Sequence, residues 1–310
     1  MKIRLGYACI SNEVGISSSS TTTLTYYKKL DTISKQNKID MIIRKNLENL
    51  EELIKYNIKN NIHFFRITAK LIPLMDLVDI DLNKYKDSFI NIGKLINDND
   101  IRVSTHVDEY CVLNSVNETV VINSIKILNI LKIVMDMFNV DYNIIMHIGS
   151  KTNGIKESMK RFINNFNLLN DDLKCRILLE NDDKSYNVYQ TLKLCERLNI
   201  PMCLDIHHHF CNKCSKNIEY YLERIYKTYK NSKPKMHFSS PKSRKEKRSH
   251  NYYINSDDFI NFITILQKYN IDTDIMLEAK EKDEALFRLV RELKYKTNYI
   301  FLDNTTFIVK

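Results

Sequence analysis

A chain of 310 residues can bury one large core, and a β/α barrel, which typically needs about 250 residues, would fit within it. Its 47 lysines and arginines outnumber its 38 aspartates and glutamates, and the resulting net charge of +9 suits either a polyanionic partner or a solvated lysine-rich surface. No apolar run approaches the roughly 18 residues that span a bilayer, and the N-terminus reads as a strand, so we expect neither a membrane protein nor a signal peptide. Seven cysteines without framework spacing predict reduced thiols in a cytoplasmic protein.

Apolar runs and helical periodicities alternate along the whole chain. The first strand is predicted at 3–9, and the Ser-, Thr- and Lys-rich segment 11–38 is predicted to form a long loop with room for a short helix. Further strands are predicted at 62–68, 101–106, 142–147, 176–180, 200–205, 235–239 and 274–278. Helices are predicted at 44–60, 85–97, 117–138, 155–167, 188–198, 218–229, 257–268 and 284–293.

About eight alternations of strand and helix, without a linker, predict an α/β protein with one (β/α)8 TIM barrel that spans residues 1–310. A doubly wound open sheet is the alternative, but no glycine-rich nucleotide-binding motif follows the first strand. In a parallel barrel, the C-terminal ends of all strands meet at one face, where catalytic groups gather.

Six successive predicted strands finish in, or carry, a carboxylate or an imidazole. These residues are His106, His147, Glu180, Asp205 with His208 just beyond it, His237 and Glu278. Any one buried histidine is more often a satisfied core residue, and the triplet after Asp205 could be a histidine-rich surface loop. The recurrence favours a metal site, and mixed carboxylate and imidazole ligands without thiolate favour Zn²⁺ or Mn²⁺. Three carboxylates and several histidines are more ligands than one four-coordinate ion can bind. This number predicts a multi-metal cluster of the kind that hydrolyses phosphate esters.

Seven short runs, in this order and spread over nearly the whole chain, resemble the UV damage endonuclease family. They are Leu5-Gly6-Tyr7, Phe65-Arg66-Ile67-Thr68, His147-Ile148-Gly149, Leu179-Glu180-Asn181-Asp182-Asp183, Asp205-Ile206-His207-His208-His209, Lys235-Met236-His237-Phe238-Ser239-Ser240-Pro241 and Ile275-Met276-Leu277-Glu278-Ala279-Lys280. The resemblance implies a TIM barrel related to endonuclease IV. It also implies a manganese-dependent enzyme that nicks damaged duplex DNA immediately 5′ to UV photoproducts, leaving a 3′-hydroxyl and a 5′-phosphate.

The resemblance also assigns roles to particular residues. It implies a cluster of two or three Mn²⁺ ions, with Zn²⁺ or Mg²⁺ as alternatives, held by Glu180, Asp205, His208, His237, Glu278, His106, His147 and His250. It implies catalytic roles for Glu180, Asp205, Glu278 and Lys235, the last either as a carboxylated lysine or as a cation that faces phosphate. Tyr7 and the pair Glu109-Tyr110 match residues that probe the lesion and fill the gap left by extruded nucleotides.

The chain departs from the family pattern at several places. Glu109 stands where the family commonly has glutamine, and Thr68-Ala69 stands where it has two serines. The following loop offers Asp76 but no histidine, and Ser11 occupies a position where the family tends to have asparagine. We expect these changes to affect lesion preference more than the metal cluster.

The basic run 242–248, which includes Lys242 and Arg244, is expected to contact phosphate, because loops that follow barrel strands lie on the catalytic side. Cys211 and Cys214 have the spacing of a zinc half-site, but no second cysteine pair completes it. The resemblance implies a protein that binds damaged double-stranded DNA, and we expect it to be a monomer, without a membrane partner, at the cytoplasmic nucleoid. The alternatives are a metal-dependent TIM-barrel sugar isomerase and a non-catalytic DNA-binding module with a structural metal site.

Overall fold

The computed structural model describes residues 1–230 and 232–310, and within them the strands form a closed barrel. The strands are β1 (Lys2–Ala8), β2 (Ile10–Ser11), β3 (Ile16–Ser17), β4 (Phe64–Arg66), β5 (Arg102–His106), β6 (Tyr142–His147), β7 (Ile177–Glu180), β8 (Met202–Asp205), β9 (Lys235–Phe238), β10 (Thr273–Leu277), β11 (Ile300–Phe301) and β12 (Thr306–Ile308). Strands β1 and β4 to β10 pair in parallel and in sequence order, and β10 pairs back onto β1. The predicted (β/α)8 barrel is therefore confirmed.

Helices surround the barrel and connect its strands. They are α1 (Leu24–Lys29), α2 (Thr32–Lys59), α3 (Lys86–Asp98), α4 (Glu118–Asp136), α5 (Ile155–Asn167), α6 (Asp171–Lys174), α7 (Val188–Leu198), α8 (Ile206–Cys211), α9 (Glu219–Thr228), α10 (Ser256–Gln267) and α11 (Lys282–Lys296), with a 3₁₀ helix at Leu82–Tyr85. Within the described ranges, no helix is both long and apolar enough to cross a membrane.

The segment predicted as a long loop is more ordered than expected. It contains the β2–β3 hairpin and the short helix α1, and α2 begins at Thr32 instead of near residue 44. The carboxylate of Asp31 caps α2 by accepting a hydrogen bond from the Ser34 amide at 3.0 Å. The apolar stripe of α2 already starts at Ile39, and the polar residues before it form the first, mostly exposed turns. The loop prediction was therefore wrong from residue 32 onward.

The C-terminal hairpin β11–β12 was not predicted. Strand β12 pairs antiparallel with β1 at Lys2–Arg4, at the N-terminal end of β1, whereas β4 pairs with β1 only at Tyr7 and Ala8. The buried ring of Phe307 stacks on Tyr299, with 5.1 Å between ring centroids. The hairpin therefore covers the edge that β4 leaves open at the bottom of the barrel.

A buried ion cluster occupies the N-terminal end of the barrel interior. The Arg4 guanidinium donates to both carboxylate oxygens of Asp274, at 2.7 and 2.9 Å, and Arg102 donates to one of them at 3.0 Å. Burial alone would raise the pKa of Asp274, but these two arginines hold it below its usual value. This carboxylate is therefore ionised and fully paired, which identifies a structural charge cluster far from the opposite, C-terminal face.

Candidate metal centre

Glu180, the last residue of β7, is the hub of the C-terminal face. Its side chain is buried, and four imidazoles surround its two carboxylate oxygens. His106 Nε2 lies 2.9 Å from Oε2, and His237 Nδ1 lies 2.9 Å from Oε1. His208 Nδ1 and His147 Nε2 are at 3.4 and 3.9 Å. The strand ends thus bring side chains together that are up to 131 positions apart in the sequence, from His106 to His237.

Two sets of three side chains offer ligand atoms close enough to share one ion. One set is His106, His147 and Glu180, and the other is Glu180, Asp205 and His237, with the ligand atoms of each set within 4.8 Å of one another. Glu180 belongs to both sets. Its Oε2 faces His106 and its Oε1 faces His237, so this carboxylate offers a different oxygen to each set.

Glu278 and His250 lie at the edge of this cluster. Glu278 directly follows β10, and its Oε1 lies 3.3 Å from His237 Nδ1. His250 Nδ1 is 4.0 Å from Glu278 Oε2, and its loop is tied back by a β-bridge between Pro241 and His250. All eight predicted ligands therefore lie in one region, with His250 the most peripheral of them.

The histidine triplet lies on a helix and is not a surface loop. Asp205 caps α8, because its Oδ1 accepts a hydrogen bond from the His208 amide at 2.7 Å. His207 and His209 are buried, and His208 turns its Nδ1 toward Glu180 and the Asn181 carbonyl, the latter at 2.9 Å. The surface-loop alternative is wrong, and the cap of this short helix aims the middle imidazole at the cluster.

Asn181 positions Asp205, although sequence reasoning gave it no role beyond the Leu179–Asp183 motif. Its side-chain amide donates to the Asp205 carbonyl at 2.9 Å, and its side-chain oxygen accepts from the Asp205 amide at 3.0 Å. The side chain thus forms a buried clamp between the ends of β7 and β8. The sequence signal for this role was the position of Asn181, a polar residue that directly follows the strand-ending carboxylate Glu180.

The electrostatics of the cluster fit a divalent cation. The Oδ2 atom of Asp205 is buried without a hydrogen-bond partner, and burial raises the pKa of Asp205 to about 8. Burial lowers the pKa of His208, but the carboxylates of Asp205 and Glu180 outweigh it and raise that pKa to about 11. Burial likewise opposes ionisation of Glu180, yet the imidazoles of His237 and His147 hold its pKa well below the usual value. An ion bound to the unpartnered oxygen would compensate the desolvation of Asp205.

Lys235 lies within the barrel, below His237. It is fully buried, its Nζ donates to Asn143 Oδ1 at 3.1 Å, and the same atom lies 5.2 Å from the centroid of the Phe64 ring. Burial lowers the pKa of Lys235 well below its usual value. An unmodified lysine here cannot face a DNA phosphate, so that interpretation of Lys235 is wrong.

Tyr7 does not face the catalytic side either. Its side chain is fully buried, and its hydroxyl donates to Asn57 Oδ1 on α2 at 2.8 Å. It packs edge-on against Phe65, with 5.1 Å between ring centroids. Because the ring lies between the barrel and a helix, the prediction that Tyr7 contacts a lesion is wrong.

An open groove of about 920 Å³ runs over the cluster. Its lining includes predicted ligands together with cationic and acidic side chains from several loops, namely Arg66, Lys70, Glu109, Asp182, Asp183, Lys184 and Arg248. Tyr110, next to Glu109, is 87% exposed, which is unusual for a large aromatic side chain. The groove is therefore open to solvent and bordered by charges of both signs.

The basic run 242–248 approaches this groove through its last residue. Lys242 and Arg244 are exposed, and Lys242 Nζ is paired with Glu246 at 2.8 Å. Neither lines the groove, whereas the Arg248 guanidinium does and donates to Asp183. The two cysteines with the spacing of a zinc half-site contact different groups. Cys211 lies 3.9 Å from His207 Nε2, and the Cys214 sulfur accepts a hydrogen bond from the Tyr189 amide.

Comparisons with known proteins agree with this geometry. The chain matches the family model of UV-endonuclease UvdE over residues 3–302. A UV DNA damage endonuclease of Bacillus cereus (strain B4264) is 33% identical over 303 residues, which cover 94% of this chain and 95% of the relative. One of Halalkalibacterium halodurans is 34% identical over 304 residues, covering 94% of each.

Solved structures give the same result at the level of the fold. The crystal structure of SacUVDE superposes with a TM-score of 0.85 at 31% identity, covering 94% of this chain and 98% of that one. The 3-keto-D-glucoside 4-epimerase YcjR from E. coli superposes with a TM-score of 0.58 at 12% identity, covering 80% of this chain and 95% of that one, which shows a common fold alone. The resemblance seen in the sequence motifs is therefore confirmed, and this chain belongs to the UV-endonuclease UvdE family.

Proposed function

We propose that this protein is a DNA repair endonuclease that nicks damaged duplex DNA immediately 5′ to UV photoproducts. The reaction is a metal-dependent phosphodiester hydrolysis that leaves a 3′-hydroxyl and a 5′-phosphate. One observation carries the proposal: the carboxylates and imidazoles that end successive strands converge on Glu180 at the floor of an open groove. It is supported by membership of a family whose relatives are named UV DNA damage endonucleases.

The residues that would hold the metal are those around Glu180. We propose that Glu180 with His106 and His147 would hold one ion, and that Glu180 with Asp205 and His237 would hold another. His208, Glu278 and the peripheral His250 would complete a cluster of two or three ions, and Mn²⁺ is our proposed metal ahead of Zn²⁺ or Mg²⁺. When bound, divalent ions supply the charge that neutralises the phosphate oxygens and lower the pKa of the attacking water.

The residues of the chain itself have three tasks in this proposal. Asn181 and the α8 cap fix Asp205 and His208, so these two side chains are held in place to receive a cation. The side chains of Lys70, Lys184 and Arg248 border the groove, where they would pair with DNA phosphates. Lys235 is proposed to act from the interior below His237, and a buried amine of lowered pKa is the form that carboxylation requires.

Tyr110 is proposed to probe the lesion. An aromatic ring that is 87% exposed beside the groove can enter a duplex where damage has weakened stacking. Extrusion of nucleotides costs a few kcal/mol, least where the helix is already distorted, so selection for damage can arise from distortion alone. Glu109 carries a carboxylate at the groove, which would repel phosphate and is therefore proposed to face a base.

The two alternative functions make different demands on the structure. A sugar isomerase encloses a small substrate, whereas this groove is open, and the likeness to sugar epimerases concerns the fold alone. A DNA-binding module with a structural metal would bind DNA in a metal-dependent way without cutting it. We further propose that residues 1–310 act as one domain and as a monomer, in the cytoplasm on nucleoid DNA.

A plasmid assay tests the proposal. Irradiated and untreated supercoiled plasmids are incubated with the protein and Mn²⁺, with and without a chelator, and relaxed circles are counted. We expect nicks only in irradiated plasmid, none with chelator, and none with Glu278→Gln, while the exposed control Glu223→Gln on α9 stays active. Extension of the nicks by a DNA polymerase tests for the 3′-hydroxyl. Equal cutting of both plasmids would refute damage specificity, and binding without cutting would favour the DNA-binding module.

A further inference from the structure

Arg66, the last residue of β4, places a buried cation among the predicted ligands. Its side chain is only 11% exposed, and its Nη2 atom contacts both Glu278 Oε1 and His237 Nε2, the latter at 3.0 Å. Its Nε atom is buried without a hydrogen-bond partner, and the residue lines the catalytic groove. Arg66 is not among the eight predicted metal ligands, and the family motif that contains it assigns it no role.

The hydrogen bonds of His237 define which of its nitrogens carries the proton. A guanidinium can only donate, so His237 Nε2 accepts from Arg66 and Nδ1 is the protonated atom. That Nδ1–H donates to Glu180 Oε1 at 2.9 Å and lies 3.3 Å from Glu278 Oε1. Nδ1 is thus the nitrogen that faces both carboxylates, and it is the one placed to bind a cation.

Binding of a cation to Nδ1 is incompatible with the contact between Arg66 and His237. A neutral imidazole that gives one nitrogen to an ion carries its proton on the other. Nε2 would then be a donor that faces the donating Nη2 of Arg66 at 3.0 Å. The guanidinium and the ion would also compete for the same oxygen of Glu278, and two cations close together in a buried site repel each other.

We infer that Arg66 is a resident cation of the metal-free cluster, which neutralises Glu278 and occupies His237 Nε2 until a metal ion displaces it. The displaced guanidinium remains on the groove floor, where its donors can bind a DNA phosphate. This second role rests on the proposed function, whereas the competition with metal does not. Arg66 therefore weakens metal binding to the cluster and strengthens the binding of DNA.

Isothermal titration of the full chain with Mn²⁺, without DNA, tests the competition. We expect Arg66→Gln and Arg66→Met to bind Mn²⁺ at least tenfold more tightly than the wild type. Arg66→Lys keeps the charge and should stay within about threefold of it. The matched control is Arg224→Gln, which removes an exposed arginine bonded to Glu196 at 2.7 and 2.8 Å and should change nothing. Equal or weaker Mn²⁺ binding by folded Arg66→Gln and Arg66→Met would overturn the inference.

A measurement on the wild-type chain avoids any loss of folding in the variants. A crystal structure with Mn²⁺ bound should show Arg66 Nη2 beyond hydrogen-bond distance of His237 Nε2. A loaded structure that keeps the contact would overturn the inference.

The phosphate-binding role is tested by kinetics with saturating Mn²⁺. Arg66→Gln should raise the KM for irradiated plasmid about tenfold, and Arg66→Lys should partly restore it. An unchanged KM would show that Arg66 does not bind phosphate. A chain that failed to nick would refute the proposed function yet leave the order of Mn²⁺ affinities as expected.

Discussion

Replacement of Asp205 by asparagine should stabilise the metal-free protein at neutral pH while removing its response to divalent ions. Asp205 is fully buried, its Oδ2 has no hydrogen-bond partner, and burial raises the pKa of its carboxyl group to about 8. Asparagine is a neutral substitute whose Oδ1 can still accept the bond from the His208 amide that caps α8. It therefore keeps the helix cap and removes the cost of burying a carboxyl group, although the attraction between that carboxylate and the His208 imidazole is lost as well.

The size of this effect follows from the difference between folded and unfolded states. At pH 7 the unfolded carboxyl, with an ordinary pKa of 3.8, is ionised, whereas burial disfavours the ionised form of the folded one. The roughly 3.2 pH units between 3.8 and 7 set an upper limit of about 4 kcal/mol, at about 1.36 kcal/mol per unit, which applies if the folded carboxyl stays neutral. For 310 residues the unfolding entropy is about 0.65 kcal/mol/K, so the variant should melt higher by up to about 6 °C.

The pH dependence gives the sign of the effect. Because the folded pKa of Asp205 is raised, its wild-type contribution is complete below pH 3.8 and is lost as the pH rises toward about 8. The advantage of Asp205→Asn should therefore be near zero at pH 4, grow through neutrality and level off above pH 8. Excess Mn²⁺ should reverse the order, because ions would stabilise only the wild type.

Thermal denaturation followed by circular dichroism, with chelator and with Mn²⁺, measures both effects. The matched control is Asp274→Asn, a second buried aspartate, which Arg4 and Arg102 hold ionised with a lowered pKa. That change should destabilise the protein at pH 7, because the buried Arg4 and the half-buried Arg102 lose the carboxylate that they share. If Asp205→Asn instead melts below the wild type in chelator, by an amount that does not vary with pH, the argument from desolvation is refuted.

Three further predictions concern the groove. Tyr110→Ala should lower kcat/KM for irradiated plasmid roughly 5- to 150-fold, because it removes about 1–3 kcal/mol of stacking. The control Tyr295→Ala, which removes a similarly exposed ring on α11, should leave kcat/KM unchanged. An equal loss in both variants would contradict the probing role of Tyr110. Tyr7→Phe should leave nicking unchanged and cost about 1 kcal/mol in urea denaturation, and a selective loss of nicking would restore its predicted lesion contact. Arg248→Gln should reduce the salt dependence of DNA binding by about one phosphate contact in fluorescence anisotropy, and an unchanged slope would place this residue outside the interface.

The cluster could be predicted from the sequence because a parallel barrel converts a pattern along the chain into a place in space. Four predicted strands end at the same residues as the observed strands, namely His106, His147, Glu180 and Asp205. Only the direction of the strands was needed to infer that these side chains meet. The distance between them along the chain had no bearing on the result.

The orientation of side chains was harder to predict than the position of strands. Tyr7 lies on the same face of β1 as the buried Ile3 and Leu5. Gly6 lies on the opposite, inward face, where an added Cβ would be 2.1 Å from the Phe64 carbonyl oxygen. The two-residue period of β1 could therefore have placed Tyr7 on the helix side. Lys235 shares a face with His237 but lies one layer deeper, which a resemblance between motifs does not reveal.

Other features left too weak a signal in the sequence. Strands β11 and β12 have two and three residues, too few to show a period, and their pairing partner is at the opposite end of the chain. Helix α2 starts with exposed polar turns, so its apolar stripe becomes visible only after Ile39. In both cases tertiary contacts decide the structure, because the local pattern is compatible with a loop.

The two ends of the barrel treat buried carboxylates in opposite ways. At the bottom, Asp274 is matched by arginines that hydrogen-bond to it directly, and the resulting pair is complete without any ligand. At the top, Asp205 keeps a buried oxygen without a partner, and Glu278 is paired with Arg66, which also occupies a histidine. A fold selected for stability alone would satisfy both ends alike, since an unpaired buried oxygen costs about 1–3 kcal/mol. Among the described residues, the buried carboxylate oxygen without a hydrogen-bond partner lies where the groove opens, and a divalent cation bound there would compensate its burial.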